Sequence, residues 1–281
     1  MQFEFTKWQG AGNDFVIVNG FTYEVEDFAK AAIEVCDRHF GIGADGLVFV
    51  LPSEVCDFKM RIFNADGSEA EMCGNVTRCV ARYVYEEQMT TKTQITIETK
   101  AGVIKPELIL NNGKVELVKV NMGQPILMAD KIPVCEYGQA EVIAKPLEIL
   151  NKKYEMTCVS MGNPHCVIFV DQIDAIELEK IGPLIEKHAL FPKKINVEFA
   201  QVKSNDYIRM RVWERGSGIT MACGTGSCAT LVAAVLNKKT DRKATLELDG
   251  GDLIIEWADD HCVYMSGPAE KVFSGTCCLN T

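Results

Sequence analysis

Apolar residues recur along the chain with two different spacings. Short runs with an apolar residue at every second position are typical of half-buried strands, whereas apolar residues three or four positions apart are typical of helices. The alternating pattern predicts strands at 3–8, 15–18, 47–51, 58–63, 94–98, 103–110, 115–120, 156–161, 166–170, 197–202 and 208–213. The helical pattern predicts helices at 27–39, 73–88, 175–188 and 225–237. Together they indicate an α+β protein in which antiparallel sheet dominates.

The same sequence pattern occurs once in each half of the chain. Cys73 and Cys223 each belong to a Cys-Gly pair that opens a helical segment, and the two cysteines are 150 positions apart. A strand-like run that begins at Met60 and a Gly-Asn pair that begins at Gly12 also return 150 positions later. The repeat is too long for a solenoid unit of roughly 20–50 residues. Agreement at three separate segments therefore points to two similar domains.

Length and charge agree with this division and narrow the range of partners. A chain of 281 residues has room for two average domains, and its 47% hydrophobic content lets each domain bury a core. The formal net charge is −10, and Lys and Arg form no block or basic helix. These features argue against nucleic acid and against a membrane surface as partners, so chemistry on a small molecule fits better.

The chain shows no targeting or metal-binding pattern. Residues 1–7 alternate like a strand and lack the apolar stretch of a signal peptide. No apolar run approaches the ~20 residues of a membrane span. We therefore expect a cytoplasmic protein whose 12 cysteines stay reduced. Because there is no Cys-x-x-Cys spacing and there are only 4 histidines, we expect no metal site.

A glycine-rich segment at 41–46 invites comparison with nucleotide-binding loops. It lacks the Gly-Lys-Ser/Thr ending of a phosphate loop and does not match the dinucleotide fingerprint. The segment is therefore only a weak indication of nucleotide binding. We interpret it as a backbone loop that approaches a neighbouring site.

The two Cys-Gly pairs suggest a specific chemistry. The start of a helix presents unpaired N–H groups and a partial positive charge, which attract an anion and lower the pKa of a thiol placed there. If the two domains face each other, the helix starts at 74–75 and 224–225 hold one carboxylate between them. Cys73 and Cys223 then flank the α-carbon. One thiolate removes its proton while the opposite thiol delivers another, which inverts the centre without pyridoxal phosphate.

The alternative for any single cysteine is a small apolar side chain in the core. The repeat-related positions of Cys73 and Cys223 favour the functional interpretation, although a disulfide formed between them on oxidation is a second alternative. The apolar interpretation is preferred for Cys36, Cys56, Cys79, Cys135, Cys158, Cys166, Cys228 and Cys262.

Several motifs resemble those of the diaminopimelate epimerase family, and together they extend over nearly the whole chain. They are Gly12-Asn13-Asp14-Phe15, Asn64-Ala65-Asp66-Gly67-Ser68, Met72-Cys73-Gly74-Asn75, Gly162-Asn163-Pro164-His165, Glu214-Arg215-Gly216 and Ala222-Cys223-Gly224-Thr225-Gly226. The resemblance implies two pseudo-symmetric domains of mainly antiparallel sheet, each wrapped on a central helix, with the active site in the interdomain cleft. It places one domain at 1–119 plus 267–281 and the other at 120–266. It also implies a cytoplasmic homodimer.

The resemblance further implies the reaction and the residues that carry it. The expected activity is the interconversion of LL- and meso-diaminopimelate, for lysine and peptidoglycan synthesis, without cofactor or metal. Cys73 and Cys223 are the expected acid/base pair, and His165 and Glu214 are candidates for tuning their ionisation. The expected substrate-binding residues are Asn13, Asn64, Gly74, Asn75, Asn163, Asn196, Glu214, Arg215, Gly224 and Thr225.

One departure from the family pattern and three alternatives remain open. The family usually has Gly after Cys-Gly-Asn, but this chain has Val76, whose branched side chain is expected to narrow the pocket or shift the loop. The alternatives are a racemase of another amino acid on the same fold, a proline-racemase-like enzyme and a non-catalytic amino-acid-binding protein. The distal polar residues disfavour the two racemases, and retention of both thiols disfavours a protein that only binds.

Overall fold

The structure is a computed structural model and describes residues 2–23 and 25–278. Its helices are α1 Phe28–Cys36, α2 Gly74–Glu86, α3 Leu178–Glu186 and α4 Gly224–Leu236, with a 3-10 helix at Ile173–Ala175. Its strands are β1 Gln2–Gly10, β2 Asn13–Asn19, β3 Gly46–Leu51, β4 Phe58–Asn64, β5 Glu69–Ala70, β6 Ile97–Thr99, β7 Gly102–Ile104, β8 Glu107–Asn111, β9 Lys114–Asn121, β10 Lys145–Ile149, β11 Lys152–Ser160, β12 Pro164–Phe169, β13 Asn196–Ser204, β14 Tyr207–Glu214, β15 Gly218–Ile219, β16 Lys243–Leu248, β17 Gly251–Trp257, β18 Val263–Gly267 and β19 Glu270–Cys278.

The chain forms two compact units. The first unit runs to Val120 and includes the C-terminal segment from Ser266, and the second unit is Asn121–Met265. The sheet of the first unit has the strand order β19-β1-β2-β3-β4-β6-β7, with β5 paired to β4. In the second unit the order is β10-β11-β12-β13-β14-β16-β17-β18, with β15 paired to β14. Most pairings are antiparallel, and each unit also has two parallel pairings: β2–β3 and β4–β6 in the first, β12–β13 and β14–β16 in the second.

Side chains alternate across the sheet of the first unit and divide it into two faces. Leu47 and Phe49 pack with α1 in one core. The positions between them, such as Val48, point to the opposite face, where α2 lies. There Trp8 packs edge-on against Tyr83 of α2, with ring centroids 6.3 Å apart. The second unit repeats this arrangement, because Val197 and Phe199 share a core with residues of α3 while α4 contacts the same sheet.

Strand register shows that the two units are built alike. In the first unit Phe15 pairs with Gly46 across β2 and β3, and Leu47 pairs with Phe63 across β3 and β4. The corresponding pairs in the second unit are His165 with Asn196 and Val197 with Trp213, each 150 positions later. The β4–β5 and β14–β15 ladders correspond in the same way. The prediction of two pseudo-symmetric α+β domains is therefore confirmed.

Some elements differ from the sequence prediction, and proline explains part of the difference. The strand predicted at 103–110 is interrupted between β7 and β8, because Pro106 has no N–H for a ladder and its carbonyl accepts from the Ile95 amide at 3.1 Å. The helix predicted at 175–188 is shorter, since the 3-10 turn ends before α3 begins. Strand β10 was not predicted, and its Pro146 is tolerated because the strand lies at a sheet edge.

No helix within the described ranges is long and apolar enough to cross a membrane.

Candidate active site

Each unit places a cysteine at the N-cap of its central helix. Cys73 precedes α2 with φ −145° and ψ 123°, and Cys223 precedes α4 with φ −128° and ψ 107°, so both are extended. A hydroxyl four residues later donates to each cysteine carbonyl, from Thr77 at 3.0 Å and from Ser227 at 2.9 Å. The first amides of both helices therefore belong to equivalent, well-supported turns, and such amides bind an anion well.

The thiol of Cys73 is half-buried and faces amide groups. Its Sγ lies 3.9 Å from Oδ1 of Asn13, and Nδ2 of Asn75 donates to the same oxygen at 3.3 Å. Nη1 of Arg78 donates to Oδ1 of Asn75 at 2.9 Å, which fixes the orientation of that amide. The structure thus brings together three of the predicted site residues, Cys73, Asn13 and Asn75, in the first unit. Gly74, also predicted, is buried in the same turn.

An ion-pair cluster on the neighbouring loop holds Asn13 in place. Nδ2 of Asn13 donates to Asp45, which leaves its Oδ1 directed towards Cys73. Arg38 bridges Asp14 and Asp45 at 2.7 and 2.8 Å, and Nζ of Lys7 lies 2.7 Å from Asp14. Burial raises the pKa of Asp14, but the hydrogen bonds from Arg38 and Lys7 outweigh that effect and lower the pKa to about 2. The loop at 41–46 thus serves to position a site residue.

The lowered pKa of Asp14 predicts acid sensitivity of the first unit. The folded state favours the ionised carboxylate, so its contribution is complete well above the ordinary pKa of 3.8 and is lost as pH falls through 3.8 towards 2. A difference of this size corresponds to about 2 kcal/mol. Urea unfolding of wild type and Asp14→Asn between pH 6 and pH 3 measures it. We expect the wild-type advantage to be constant above pH 5 and to shrink below pH 4; an advantage that does not change would contradict the assignment.

The thiol of Cys223 is more enclosed than that of Cys73. It is 5% exposed, the amide of Gly226 donates to its Sγ at 3.4 Å, and Oγ1 of Thr225 lies 3.6 Å from it. The sequence predicted that the helix start lowers the pKa of this thiol. That prediction is wrong for Cys223, because burial and then the carboxylates of Glu214 and Glu198 raise its pKa well above the ordinary value, against the smaller effect of Thr225 and Gly226. The thiol is therefore protonated at neutral pH.

His165 reaches this region through a carboxylate that the sequence analysis missed. Its Nδ1 lies 2.6 Å from Oε1 of Glu198, and its Nε2 lies 3.0 Å from Oδ1 of Asn163. Both His165 and Glu198 are fully buried. The signal in the sequence was a lone glutamate in the apolar run 195–200, since fully buried glutamates are rare unless they are paired.

The remaining polar residues of the second unit are clustered around the end of β14. Asn196 is 3% exposed and uses both ends of its amide: Nδ2 donates to the carbonyl of Pro164 at 2.8 Å, and Oδ1 accepts from the amide of Arg215 at 2.9 Å. The guanidinium of Arg215 is exposed and donates to the carbonyl of Lys193 at 3.1 Å. Asn196 therefore links the segment that carries Asn163 to the segment that carries Arg215.

Two predicted residues at the ends of β4 and β14 correspond under the repeat. Asn64 is exposed, and its Nδ2 donates to Oγ of Ser68 at 2.9 Å. Glu214 is half-buried and accepts a hydrogen bond from Oγ1 of Thr220. Each side chain is thus oriented by a hydroxyl in the loop that leads to the cysteine. Gly224 is half-buried at the start of α4.

The structure also shows where Val76 and the cysteines expected in the core lie. Val76 has no exposed surface, so its side chain belongs to the interior of the first unit and does not narrow a pocket. Cys135 is exposed, which contradicts its interpretation as a core residue, and Cys56 and Cys262 are half-buried. The expected apolar cysteines that are buried are Cys36, Cys79, Cys158, Cys166 and Cys228.

The fold is shared with several solved structures of low sequence identity. A phenazine biosynthesis protein of the PhzF family from Bacillus anthracis aligns with a TM-score of 0.73 at 18% identity, covering 99% of this chain and 100% of that one. A hydroxyproline epimerase from Agrobacterium vitis aligns with a TM-score of 0.70 at 13% identity, covering 98% and 92%. At such identities the likeness concerns the fold alone.

Sequence comparison is more specific. The family model described as diaminopimelate epimerase matches residues 5–128 and 157–272. A curated relative named diaminopimelate epimerase from Pelotomaculum thermopropionicum is 56% identical over 273 residues, covering 96% of this chain and 97% of the relative. One from Methanococcus maripaludis is 53% identical over 273 residues, covering 97% and 98%. Because the family match includes both repeated cysteine turns, and relatives along the full length are more than half identical, the chain belongs to the diaminopimelate epimerase family.

Proposed function

We propose that this protein interconverts LL-2,6-diaminopimelate and meso-diaminopimelate by a two-base mechanism that needs no cofactor. The single observation that carries the proposal is the pair of cysteines at equivalent N-caps, Cys73 before α2 and Cys223 before α4. Membership of the family supplies the substrate. The product then feeds lysine and peptidoglycan synthesis.

The proposed reaction transfers two protons at one α-carbon. One cysteine, as thiolate, takes the α-proton, and the electron pair of the broken C–H bond is delocalised into the adjacent carboxylate. Amides at the helix starts 74–75 and 224–225 donate to that carboxylate and stabilise its developing charge. The other cysteine, as thiol, gives its proton to the opposite face of the carbon. Each turnover therefore exchanges the protonation states of the two thiols and leaves the total charge unchanged.

The neighbours of the two thiols support different starting roles for them: Cys73 begins as the base and Cys223 as the proton donor. After one turnover, which runs either from LL to meso or from meso to LL, the two roles are exchanged. Cys223 is held as a thiol by burial and by two carboxylates, which suits the proton donor. Oδ1 of Asn13 accepts from the thiol of Cys73 at 3.9 Å when that thiol is protonated. The site thus provides a partner for the proton in both halves of the catalytic cycle.

We propose that polar residues from both units, at the end of β14, at Asn163 and at the end of β4, bind the distal amino-acid end of the substrate. The exposed guanidinium of Arg215 suits a carboxylate, because its fork of donors matches the two oxygens. Glu214 and the amide oxygens of Asn64 and Asn163 suit an ammonium group, since each is an acceptor. Both ends of the Asn196 amide are already hydrogen-bonded, to the carbonyl of Pro164 and to the amide of Arg215. Asn196 therefore positions the segments that carry Asn163 and Arg215.

The proposal is tested by proton NMR of the reduced protein with LL-diaminopimelate in deuterated water, without pyridoxal phosphate. We expect the meso isomer to appear with deuterium at one α-carbon. If that substrate is inert, a pool of other amino acids separates the alternatives. Deuterium exchange in another amino acid would indicate a racemase of changed specificity, and exchange in none would indicate a protein that binds without turnover.

We also propose a cytoplasmic homodimer, as the family resemblance implies. The exposed apolar side chains of Val272 and Phe273, 56% and 47% accessible, lie on strand β19 at the edge of the sheet of the first unit and offer a surface for association. Sedimentation equilibrium is expected to give twice the chain mass of 31.1 kDa. A mass of one chain at micromolar concentration would contradict the dimer.

A further inference from the structure

The environments of the two repeated cysteines differ at two positions that correspond under the repeat. In the second unit the face of β13 towards α4 carries Glu198, and the first turn of α4 contains Gly226. Their counterparts in the first unit, 150 positions earlier, are Val48 and Val76, both fully buried. The fold therefore accepts two buried apolar side chains at these positions, and it does not require a charge there.

Glu198 and Gly226 fit each other and border the thiol of Cys223. A Cβ added to Gly226 would lie 2.8 Å from Oε1 of Glu198 and 3.2 Å from Sγ of Cys223. Because Gly226 has no side chain, the carboxylate of Glu198 and the sulfur of Cys223 can both lie close to its Cα. The contacts place the carboxylate directly against the turn that contains the thiol.

The carboxylate and His165 hold one proton between them. Because Oδ1 of Asn163 accepts from Nε2 of His165, that nitrogen carries hydrogen, and Nδ1 faces Oε1 of Glu198 at 2.6 Å. The carboxylate form of Glu198, with the proton on the imidazole ring, is the form that opposes a thiolate at Cys223. Burial raises the pKa of Glu198, and the interaction with His165 acts in the opposite direction. Oε2 of Glu198 is buried and has no hydrogen-bond partner among the described residues. A buried carboxylate oxygen left in this state destabilises the fold, so packing alone does not account for the residue.

We propose that Glu198 is a positioning residue that keeps Cys223 as the proton-donating thiol of the pair. The proposal rests on the function proposed above and adds a residue to it. Its carboxylate acts on Cys223 across the space left by Gly226, while its hydrogen bond to His165 fixes its orientation. The charged and titratable groups that face this thiol are Glu198 from β13 and Glu214 from β14, with His165 of β12 behind Glu198.

The asymmetry gives the two thiols different tasks in the resting enzyme. Cys73 faces the amide of Asn13 and has Val48 at the position that corresponds to Glu198. Only Cys223 therefore has a carboxylate at that position to oppose thiolate formation. Paired groups acquire separate acid and base roles when their environments give them different pKa values.

The test measures the ionisation of Cys223 without substrate, so it is independent of the reaction. Alkylation by iodoacetamide is followed at each cysteine by peptide mass spectrometry between pH 6 and pH 11, with Cys73 as internal reference. In Glu198→Gln, whose amide keeps the hydrogen bond to His165, we expect the midpoint for Cys223 to move down by about 1 pH unit. An unchanged midpoint, or one that moves up, overturns the proposal.

Two further variants separate positioning from packing. Glu198→Asp keeps the charge, so the alkylation midpoint of Cys223 in this variant is expected to lie between those of wild type and Glu198→Gln. If Glu198→Gln does not fold, Glu198→Asp alone tests the proposal. A Cys223 midpoint at or above the wild-type value would contradict it. Glu186→Gln is the matched control, because Glu186 is a buried glutamate of the same unit that bonds Trp213 and Gly216. It is expected to lower stability without moving the midpoint.

Kinetics then connect this ionisation to the reaction. If wild type epimerises diaminopimelate, the basic limb of its kcat/KM profile is expected to move to lower pH in Glu198→Gln by the same amount as the alkylation midpoint. A limb that does not move while the midpoint does would mean that Cys223 is not the donor. If wild type is inert on diaminopimelate, the proposed function fails while the alkylation result still decides the role of Glu198.

Discussion

Replacing either Cys73 or Cys223 by serine is expected to lower the rate of epimerisation by roughly 10²–10⁴-fold, the usual contribution of a general acid or base. A serine hydroxyl has nearly the size of a thiol but does not ionise in the accessible pH range. The helix turns should survive the change, because the backbone carbonyl of each cysteine accepts from the amide and the hydroxyl of the residue four positions later. The rate is measured by appearance of the meso isomer from LL-diaminopimelate.

The matched control for these variants is Cys135→Ser. This cysteine is exposed and lies outside both helix turns, so full activity is expected. A two-base mechanism also predicts a partial reaction. The single cysteine that remains can still remove and return the α-proton from its own face, so deuterium exchange without inversion is expected to persist for one isomer in each variant. Unimpaired epimerisation in either serine variant would rule out the two-base mechanism.

Replacing Gly41 by alanine is expected to destabilise the protein by roughly 3 kcal/mol or more, because the added Cβ would overlap the backbone. It would lie 2.2 Å from the carbonyl oxygen of Glu34, 2.7 Å from that of Val35 and 2.9 Å from that of Asp37. None of these atoms is at the end of a flexible side chain. The end of α1 and the loop that follows must therefore move.

Activity is expected to fall together with stability in this variant. The loop after α1 carries Arg38 and Asp45, and both belong to the cluster that orients Asn13 beside Cys73. Thermal unfolding and the epimerisation rate measure the two effects. Gly113→Ala is the control, since Gly113 has a φ of +76° but no atom within 4 Å of the added Cβ. It is expected to cost only about 1 kcal/mol and to leave the rate unchanged; equal losses in the two variants would contradict the steric argument.

Much of the fold could be predicted because local signals and the repeat agree. The helix starts at Cys73 and Cys223 were marked by Gly-rich segments before apolar periodic runs, and the structure begins α2 and α4 one residue after each cysteine. The Asn112-Gly113 pair between two alternating runs is typical of a hairpin turn, and the structure has φ of +50° and +76° there. Local chemistry decides these features, so one sequence suffices.

The ion cluster and the buried carboxylate depend instead on contacts between distant segments. Lys7, Asp14, Arg38 and Asp45 meet only once β1, β2 and the loop before β3 are in register. The spacing of these residues gives no sign of it. The pKa of Cys223 was predicted in the wrong direction for a related reason, because desolvation and two carboxylates outweigh the helix start, and neither effect is visible before the chain folds.

The fit between Glu198 and Gly226 means that these two positions are expected to respond to substitution together. A Cβ at position 226 would lie 2.8 Å from Oε1 of Glu198, so the carboxylate would have to rotate away from the turn that contains Cys223. The effects of substitutions at the two positions are therefore expected to be non-additive. The corresponding residues of the first unit, Val48 and Val76, are buried and apolar, so no charge has to be moved there.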